Sequence, residues 1–178
     1  MIKRGPFGLW RGMSTHEFEG NMEQIGPFKF KIESPPKPHS AFEFYVLQIS
    51  PGAGLSWVKA VGTTIATSGF GTELQAAFES MEAKLINAYG RNSKIDLLRT
   101  GSIWNEPREW MQALQKRERL LGATWDQETG AKLSDSLSAI YLGATAVDTE
   151  AGYIVIEYSF DNIAQAEAEI AAAEDDAL

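Results

Sequence analysis

The chain has 178 residues, is 44% hydrophobic and 22% charged, carries a net charge of −8 and contains no cysteine. This length and composition suit a globular protein with a core of its own, and they exclude disulfides, thiolate metal sites and cysteine nucleophiles. No stretch reaches the ~18 apolar residues of a membrane helix and no secretory leader opens the sequence, so we expect a cytoplasmic protein without membrane contact.

The N-terminal third predicts one helix followed by strands. An S-x-x-E capping box at Ser14 opens an apolar pattern with helical spacing, which predicts a first helix ending at Gly26-Pro27. Residues 7–10 before it are expected to form a short edge strand or an extended arm. Alternating or β-rich segments then predict strands at 28–32 and 42–50 and weaker ones at 55–62 and 63–68, which form either one bent strand or a hairpin. Their short connections favour an antiparallel meander.

The middle of the chain predicts two further helices. Thr72 is expected to cap the first of them, which ends at Gly90. A polar loop follows, and Asn105 is expected to cap the other helix, with Leu121 on its inner face and Gly122 at its end. Its apolar positions and those of the preceding helix predict one buried face on each.

The C-terminal segments predict a hairpin and a final helix. Residues 136–147 and 153–160 carry apolar residues on both faces and flank a turn, so we place them centrally in the sheet. Helices bracket blocks of strands, which predicts an α+β fold with a single antiparallel sheet of five to six strands and helices packed on one face. We expect one domain over 1–162 and an acidic, Ala-rich helix or tail over 163–178.

Candidate sites for chemistry are few. His16 and His39 have no partners at metal-ligand spacing, so no metal site is predicted. The Gly69–Thr72 turn has the form strand, Gly-x-Gly, helix, which leaves open a small-molecule or nucleotide-binding enzyme. No catalytic, cofactor-binding or metal-binding residue is assigned, and the expected class is a binding module rather than an enzyme.

The charge distribution points to a protein partner. Residues 133–178 carry 10 acidic residues and no Lys or Arg, whereas residues 1–132 carry 14 acidic and 16 basic residues. An acidic segment repels nucleic acid and attracts basic proteins, so the expected partner is a basic protein domain. The candidate partner-binding residues are the N-terminal pair Trp10 and Arg11 and the acidic residues Asp148, Glu150, Glu157, Glu167, Glu169 and Glu174.

Two segments resemble parts of small bacterial proteins. The stretch GPFGLWRGMSTHEFE resembles the opening of helix-plus-antiparallel-sheet domains, and GYIVIEYSFDN resembles the last core strand that closes such a sheet. The chain also looks similar to bacterial immunity proteins against contact-delivered or type VI secreted toxins. The resemblance implies a protein that occludes a toxin's active site. A phage-type structural adaptor, with the acidic tail as a docking arm, is an alternative.

Overall fold

A computed structural model describes residues 4–178, and within them the chain forms three α-helices and nine strands. The strands are β1 (Glu23–Gly26), β2 (Lys29–Ile32), β3 (Phe42–Ser50), β4 (Gly54–Gly62), β5 (Ile65–Ala66), β6 (Ser93–Leu98), β7 (Arg119–Asp126), β8 (Leu137–Ala146) and β9 (Ala151–Phe160). The helices are α1 (Thr72–Tyr89), α2 (Trp110–Gln115) and α3 (Ile163–Asp175). Short 3-10 turns occupy Pro6–Gly8, Thr15–Glu17 and Pro107–Glu109.

The strands form one antiparallel sheet, which confirms the α+β class. Their order is β1-β2-β3-β4-β9-β8-β7-β6, and β5 pairs with β9 outside this path. The predicted hairpin of β8 and β9 lies inside the sheet, as its two apolar faces indicated. The prediction of five to six strands was wrong, because β1, β6 and β7 lie in segments that the sequence pattern assigned to helices or to a loop.

The N-terminal segment differs most from its prediction. The helix expected from Ser14 is a single 3-10 turn, Thr15–Glu17, in which the Glu17 carboxylate accepts a hydrogen bond from the Ser14 N–H at 3.0 Å. Just before it, the Leu55 N–H donates to the Met13 carbonyl at 2.8 Å, which holds this segment against β4. The capping box therefore forms, but the chain beyond it is extended and becomes β1. Residues 7–10 form no strand.

The third predicted helix ends earlier than expected, and its last residues belong to a strand. The helical part comprises the 3-10 turn Pro107–Glu109 and α2. Glu106, rather than Asn105, precedes the 3-10 turn, and the Glu106 N–H donates to the Glu109 carboxylate at 3.0 Å. Leu121 and Gly122 lie in β7, and the polar loop contains β6. All six residues of β6 pair with residues 119–124 of β7, and this tertiary pairing overrides the helical spacing of the leucines.

The described chain divides into two compact units. Unit 1 comprises residues 4–61, 133–140 and 157–178, and unit 2 comprises residues 62–132 and 141–156. In unit 1, α3 is anchored at its start: Ala166 is fully buried, and the Asn162 amide donates to the carbonyls of Ala53 and Leu55 at 2.9 and 3.2 Å. In unit 2, Leu74, Phe78 and Trp125 are fully buried. The division into one domain and a tail stays a prediction.

Candidate protein-binding site

One side of β6 and β7 is covered by α1. The Lys94 ammonium lies 2.9 Å from the Glu82 carboxylate and 5.3 Å from the centroid of the Phe78 ring, both on α1. On the same side of β7, Leu121 is buried and the Trp125 indole donates to the carbonyl of Gly90 at the end of α1, at 3.0 Å. Because side chains alternate along a strand, the residues between these point the other way.

The opposite side of these strands is apolar and exposed. Ile95 is paired with Gly122, and Leu97 is paired with Leu120, across β6 and β7. The ring of Tyr141 from β8 lies over Gly122, where a Cβ atom would come within 3.0 Å of it. The exposed fractions are 48% for Ile95, 44% for Leu97, 40% for Leu120 and 39% for Tyr141. We call these four side chains the open face.

A groove of about 420 Å³ runs beside the open face. Its lining residues are Ser93, Ile95, Leu114, Gln115, Arg117, Arg119, Leu120, Leu121, Gly122, Ala123, Thr124, Tyr141, Ala144, Thr145 and Ala146. The only charged members of this lining are arginines. Arg119 is held in place by Asp96, 3.3 Å from its guanidinium nitrogen, and by the Trp110 ring, whose centroid is 5.8 Å away. Arg117 is exposed, so the groove has a mainly apolar lining that also carries positive charge.

The strand β6 forms one edge of the sheet. Immediately after it, the Arg99 N–H donates to the Glu118 carbonyl at 2.7 Å. Hydrogen-bonded and non-hydrogen-bonded pairs alternate along an antiparallel ladder, so the backbone groups of Lys94, Asp96 and Leu98 point away from β7. An outward-facing row of N–H and C=O groups therefore lies along the margin of the open face.

The predicted residues of the β8–β9 turn lie in unit 2 but outside the open face. Asp148 accepts a hydrogen bond from the Glu150 N–H at 2.7 Å, so this carboxylate shapes the turn. Glu150 lines a separate depression of about 330 Å³ with Trp104 and Arg108.

The N-terminal candidates lie in unit 1. Arg11 forms an ion pair with Asp161, and Trp10 beside it is half-buried. Arg11 therefore has an interaction within its own unit, and contact of Trp10 and Arg11 with a partner stays a prediction.

The acidic candidates on α3 fall into two groups. Glu169 accepts a hydrogen bond from the Gly52 N–H at 3.0 Å, and this bond, aided by Ser50, holds the pKa of its carboxyl below the ordinary value. Glu167 and Glu174 are exposed. Among the candidates on α3, Glu169 therefore makes a contact within unit 1, whereas Glu167 and Glu174 face solvent.

Unit 1 also brings together lysines and aromatic rings that are scattered in the sequence. The Lys29 ammonium lies 3.9 Å from the centroid of the Trp57 ring, and the Lys31 ammonium lies 4.7 Å from that of Phe44. Burial lowers the pKa of Lys29, and the candidate Glu157 opposes this shift because its negative charge favours the ammonium. Each of these two rings therefore has a lysine ammonium near its face.

The Gly69–Thr72 turn is explained by packing. A Cβ atom on Gly71 would lie 2.2 Å from the Trp110 ring, and the Met111 N–H donates to the Gly69 carbonyl at 2.9 Å. The prediction that Thr72 caps α1 was wrong, because the N-cap residue is Gly71, with φ 65°, and Thr72 is the first residue of the helix. Close contact with α2 thus accounts for these glycines without a phosphate.

The described residues contain no group of three or more His, Asp or Glu side chains that could hold a metal ion. Among residues 4–178, no helix combines the length and the hydropathy that a bilayer crossing requires. In comparisons with known proteins, no family model, no curated protein and no solved structure matched this chain.

The sequence interpretation missed all four residues of the open face. The signal that indicates β6 is the alternation of Ile95 and Leu97 with Lys94 and Asp96. This segment is short and half polar, and it follows a long helix, so its sequence is equally compatible with a loop.

Proposed function

We propose that this chain is a protein-binding module and that the open face is its contact surface. The observation that carries the proposal is the clustering of Ile95, Leu97, Leu120 and Tyr141 on one side of the sheet beside an apolar groove. Single exposed hydrophobic residues are common on proteins, whereas a contiguous group of large ones is typical of an interaction site. Burying apolar area contributes about 25 cal/mol per Å² to binding, before the costs of association.

The lining of the groove indicates the chemistry of the partner. Apolar side chains at the centre of the partner's surface would pack on Leu97 and Leu120, as in other interface cores. Arg117 in the lining of the groove would meet a carboxylate, because an exposed guanidinium forms bidentate hydrogen bonds with that group. The proposed partner therefore presents apolar residues flanked by at least one acidic residue.

Within this class, we propose that the partner is a bacterial toxin domain and that binding blocks its active site. The support is the resemblance of residues 5–19 and 152–162 to immunity proteins, together with the acidic C-terminal segment. Exposed Glu167 and Glu174 on α3 would speed the encounter with a domain of net positive charge. The net positive charge of the partner acts through long-range attraction before contact, whereas its acidic residue interacts with Arg117 after contact. One partner can therefore have both features.

Site-specific photo-crosslinking in cells of the source organism tests the proposal. A photoreactive amino acid is placed at Leu97 or Leu120, and at Glu79, which is exposed on α1, as the matched control. We expect one protein to be trapped from positions 97 and 120 and not from position 79. The trapped protein is then purified, and its toxic activity is expected to fall stoichiometrically when the chain is added.

Two results would contradict parts of this account. Equal trapping from positions 79 and 97, or no trapping from positions 97 and 120, would show that the open face is not the contact surface. The trapped protein could instead be non-toxic, or its toxicity could be unchanged by the chain. Either result would support a protein-binding module but contradict the immunity role.

A further inference from the structure

The geometry points to self-association: we propose that β6 pairs antiparallel with β6 of a second copy of this chain. In the proposed register, Lys94 lies opposite Asp96 of the second copy, and Ile95 lies opposite Ile95 of the second copy. This interaction uses the backbone edge of β6, whereas the partner proposed above uses side chains of the open face, and Ile95 is the residue that both surfaces include.

The edge is suited to strand addition. β6 is the last strand in the sheet order and has six residues paired with β7 in an unbroken register. The backbone groups of Lys94, Asp96 and Leu98 point outward, as the alternation from Arg99 requires. A strand with outward N–H and C=O groups is a template for pairing with another chain. A second copy offers the same template.

The charged side chains of β6 determine which register between the two copies is favoured. When outward-facing residues pair across a two-fold axis, Lys94 opposite Asp96 of the second copy occurs twice, once on each side of the axis. Shifting the register by one step of the ladder places Asp96 opposite Asp96 of the second copy. Opposite charges directly across an antiparallel pair are favourable and like charges are unfavourable, so the first register is preferred.

Charges already present around the edge extend this complementarity. Asp96 is paired with Arg119, and Lys94 is paired with Glu82. In the proposed register, these four side chains form an alternating row, with Arg119 and Asp96 from one copy followed by Lys94 and Glu82 of the second copy. Each inner charge then lies between two opposite charges, which a partner strand without this pattern does not provide.

The same register brings apolar residues together on the other side of the strands. Ile95 and Ile95 of the second copy form a non-hydrogen-bonded pair, whose Cα atoms are about 4.5 Å apart in antiparallel sheets. Both side chains belong to the open face. Self-association therefore makes the two open faces continuous while leaving Leu97, Leu120 and Tyr141 accessible above the sheet.

The absence of native cysteine makes the register directly testable by disulfide trapping. We expect Ile95→Cys to form an intermolecular disulfide rapidly under mild oxidation, because its Cα separation lies within the usual range of about 4.4–6.8 Å. Leu97→Cys is the matched control, since its equivalent in the second copy would be about 13 Å away along the strands. Mixing Leu97→Cys with Ser93→Cys should restore trapping, because these positions lie opposite each other.

Sedimentation supplies a second measurement on the unmodified chain. We expect a reversible monomer–dimer equilibrium, and we expect Asp96→Lys to weaken dimerisation by about tenfold by replacing two attractive cross-strand pairs with repulsive ones. Glu79→Lys makes the same charge change on α1 and should leave the equilibrium unchanged. Thermal unfolding of dilute samples checks that each variant is folded.

Three results would overturn the proposal. The first is a wild-type chain that sediments as a monomer at all concentrations while Ile95→Cys is trapped no faster than Leu97→Cys. The second is a dimer in which Leu97→Cys is trapped faster than Ile95→Cys, which would refute the register. The third is a dimer whose stability is the same in folded Asp96→Lys and in Glu79→Lys.

Discussion

The carboxylate of Glu169 on α3 accepts a hydrogen bond from the Gly52 N–H in the β3–β4 turn, at 3.0 Å. This bond, with a further contribution from Ser50, holds the pKa of Glu169 below its ordinary value. The folded chain therefore binds fewer protons at this site than the unfolded chain does. The stabilisation is fully present above the ordinary pKa and is lost as the pH falls through the lowered one.

A pH series tests this link between α3 and the turn. We expect Glu169→Gln to lower the free energy of unfolding at neutral pH, and we expect the difference from wild type to shrink as the pH falls towards 3. Urea unfolding at each pH gives the two curves, and Glu167→Gln on the exposed side of α3 serves as the control. A difference that is constant with pH would show that the Glu169 charge does not stabilise the fold.

Phe78 tests the assignment of the buried side of α1. Its side chain is fully buried, so Phe78→Ala is expected to cost about 3–5 kcal/mol of unfolding free energy through lost burial and the cavity that remains. The neighbouring change Glu79→Ala, on the exposed side, is expected to stay within about 0.5 kcal/mol. Urea or thermal unfolding measures both. A cost below ~1 kcal/mol for Phe78→Ala would mean that this side of α1 is not in the core.

A comparison of Gly71 with Gly101 tests whether ring packing explains the glycine in the Gly69–Thr72 turn. Both have positive φ, 65° and 85°, but a Cβ atom on Gly71 would collide with Trp110, whereas one on Gly101 meets nothing within 4 Å. We expect Gly101→Ala to cost about 1 kcal/mol from backbone strain alone and Gly71→Ala about 2–4 kcal/mol. Equal costs in unfolding experiments would mean that ring packing does not explain this glycine.

The acidic surface of α3 is expected to act on the rate of encounter. Replacing Glu167 and Glu174 with Gln should slow association with a basic partner several-fold at low salt, where the Debye length is ~30 Å, and less at ~8 Å. Stopped-flow association and dissociation rates are the measurement, and Glu79→Gln is the matched neutralisation on α1. Glu169 is left intact because it anchors the helix. An association rate that is unchanged, or changed equally at all salt concentrations, would argue against steering.

The parts of the fold that the sequence predicts correctly are those with strong local patterns. The strand from Phe42 to Ser50 has the predicted bounds, and α1 covers the predicted stripe and ends at Gly90. The hairpin of β8 and β9 was predicted because the two segments flank a turn, and its central position was predicted because both faces of each strand carry apolar residues. In these segments, local propensity and tertiary environment favour the same structure.

The errors occur where pairing with a distant strand decides the structure. The capping box at Ser14 predicts a helix, but hydrogen bonds between the preceding residues and Leu55 favour an extended chain. The helical spacing up to Leu121 is interrupted because residues 119–124 pair with β6. The open face could not be predicted for the same reason, since Ile95 and Leu120 become neighbours only through that pairing.

The most direct test of the central claim is the affinity of the isolated partner for open-face variants. Leu97→Asp and Leu120→Asp each place a charge at the proposed centre of the interface, and titration calorimetry compares them with wild type and with Glu79→Ala. The account predicts folded variants that bind at least about thirtyfold more weakly, as for other central hot spots, and an unchanged control. Folded Leu97→Asp and Leu120→Asp variants that bind the partner with wild-type affinity would contradict it.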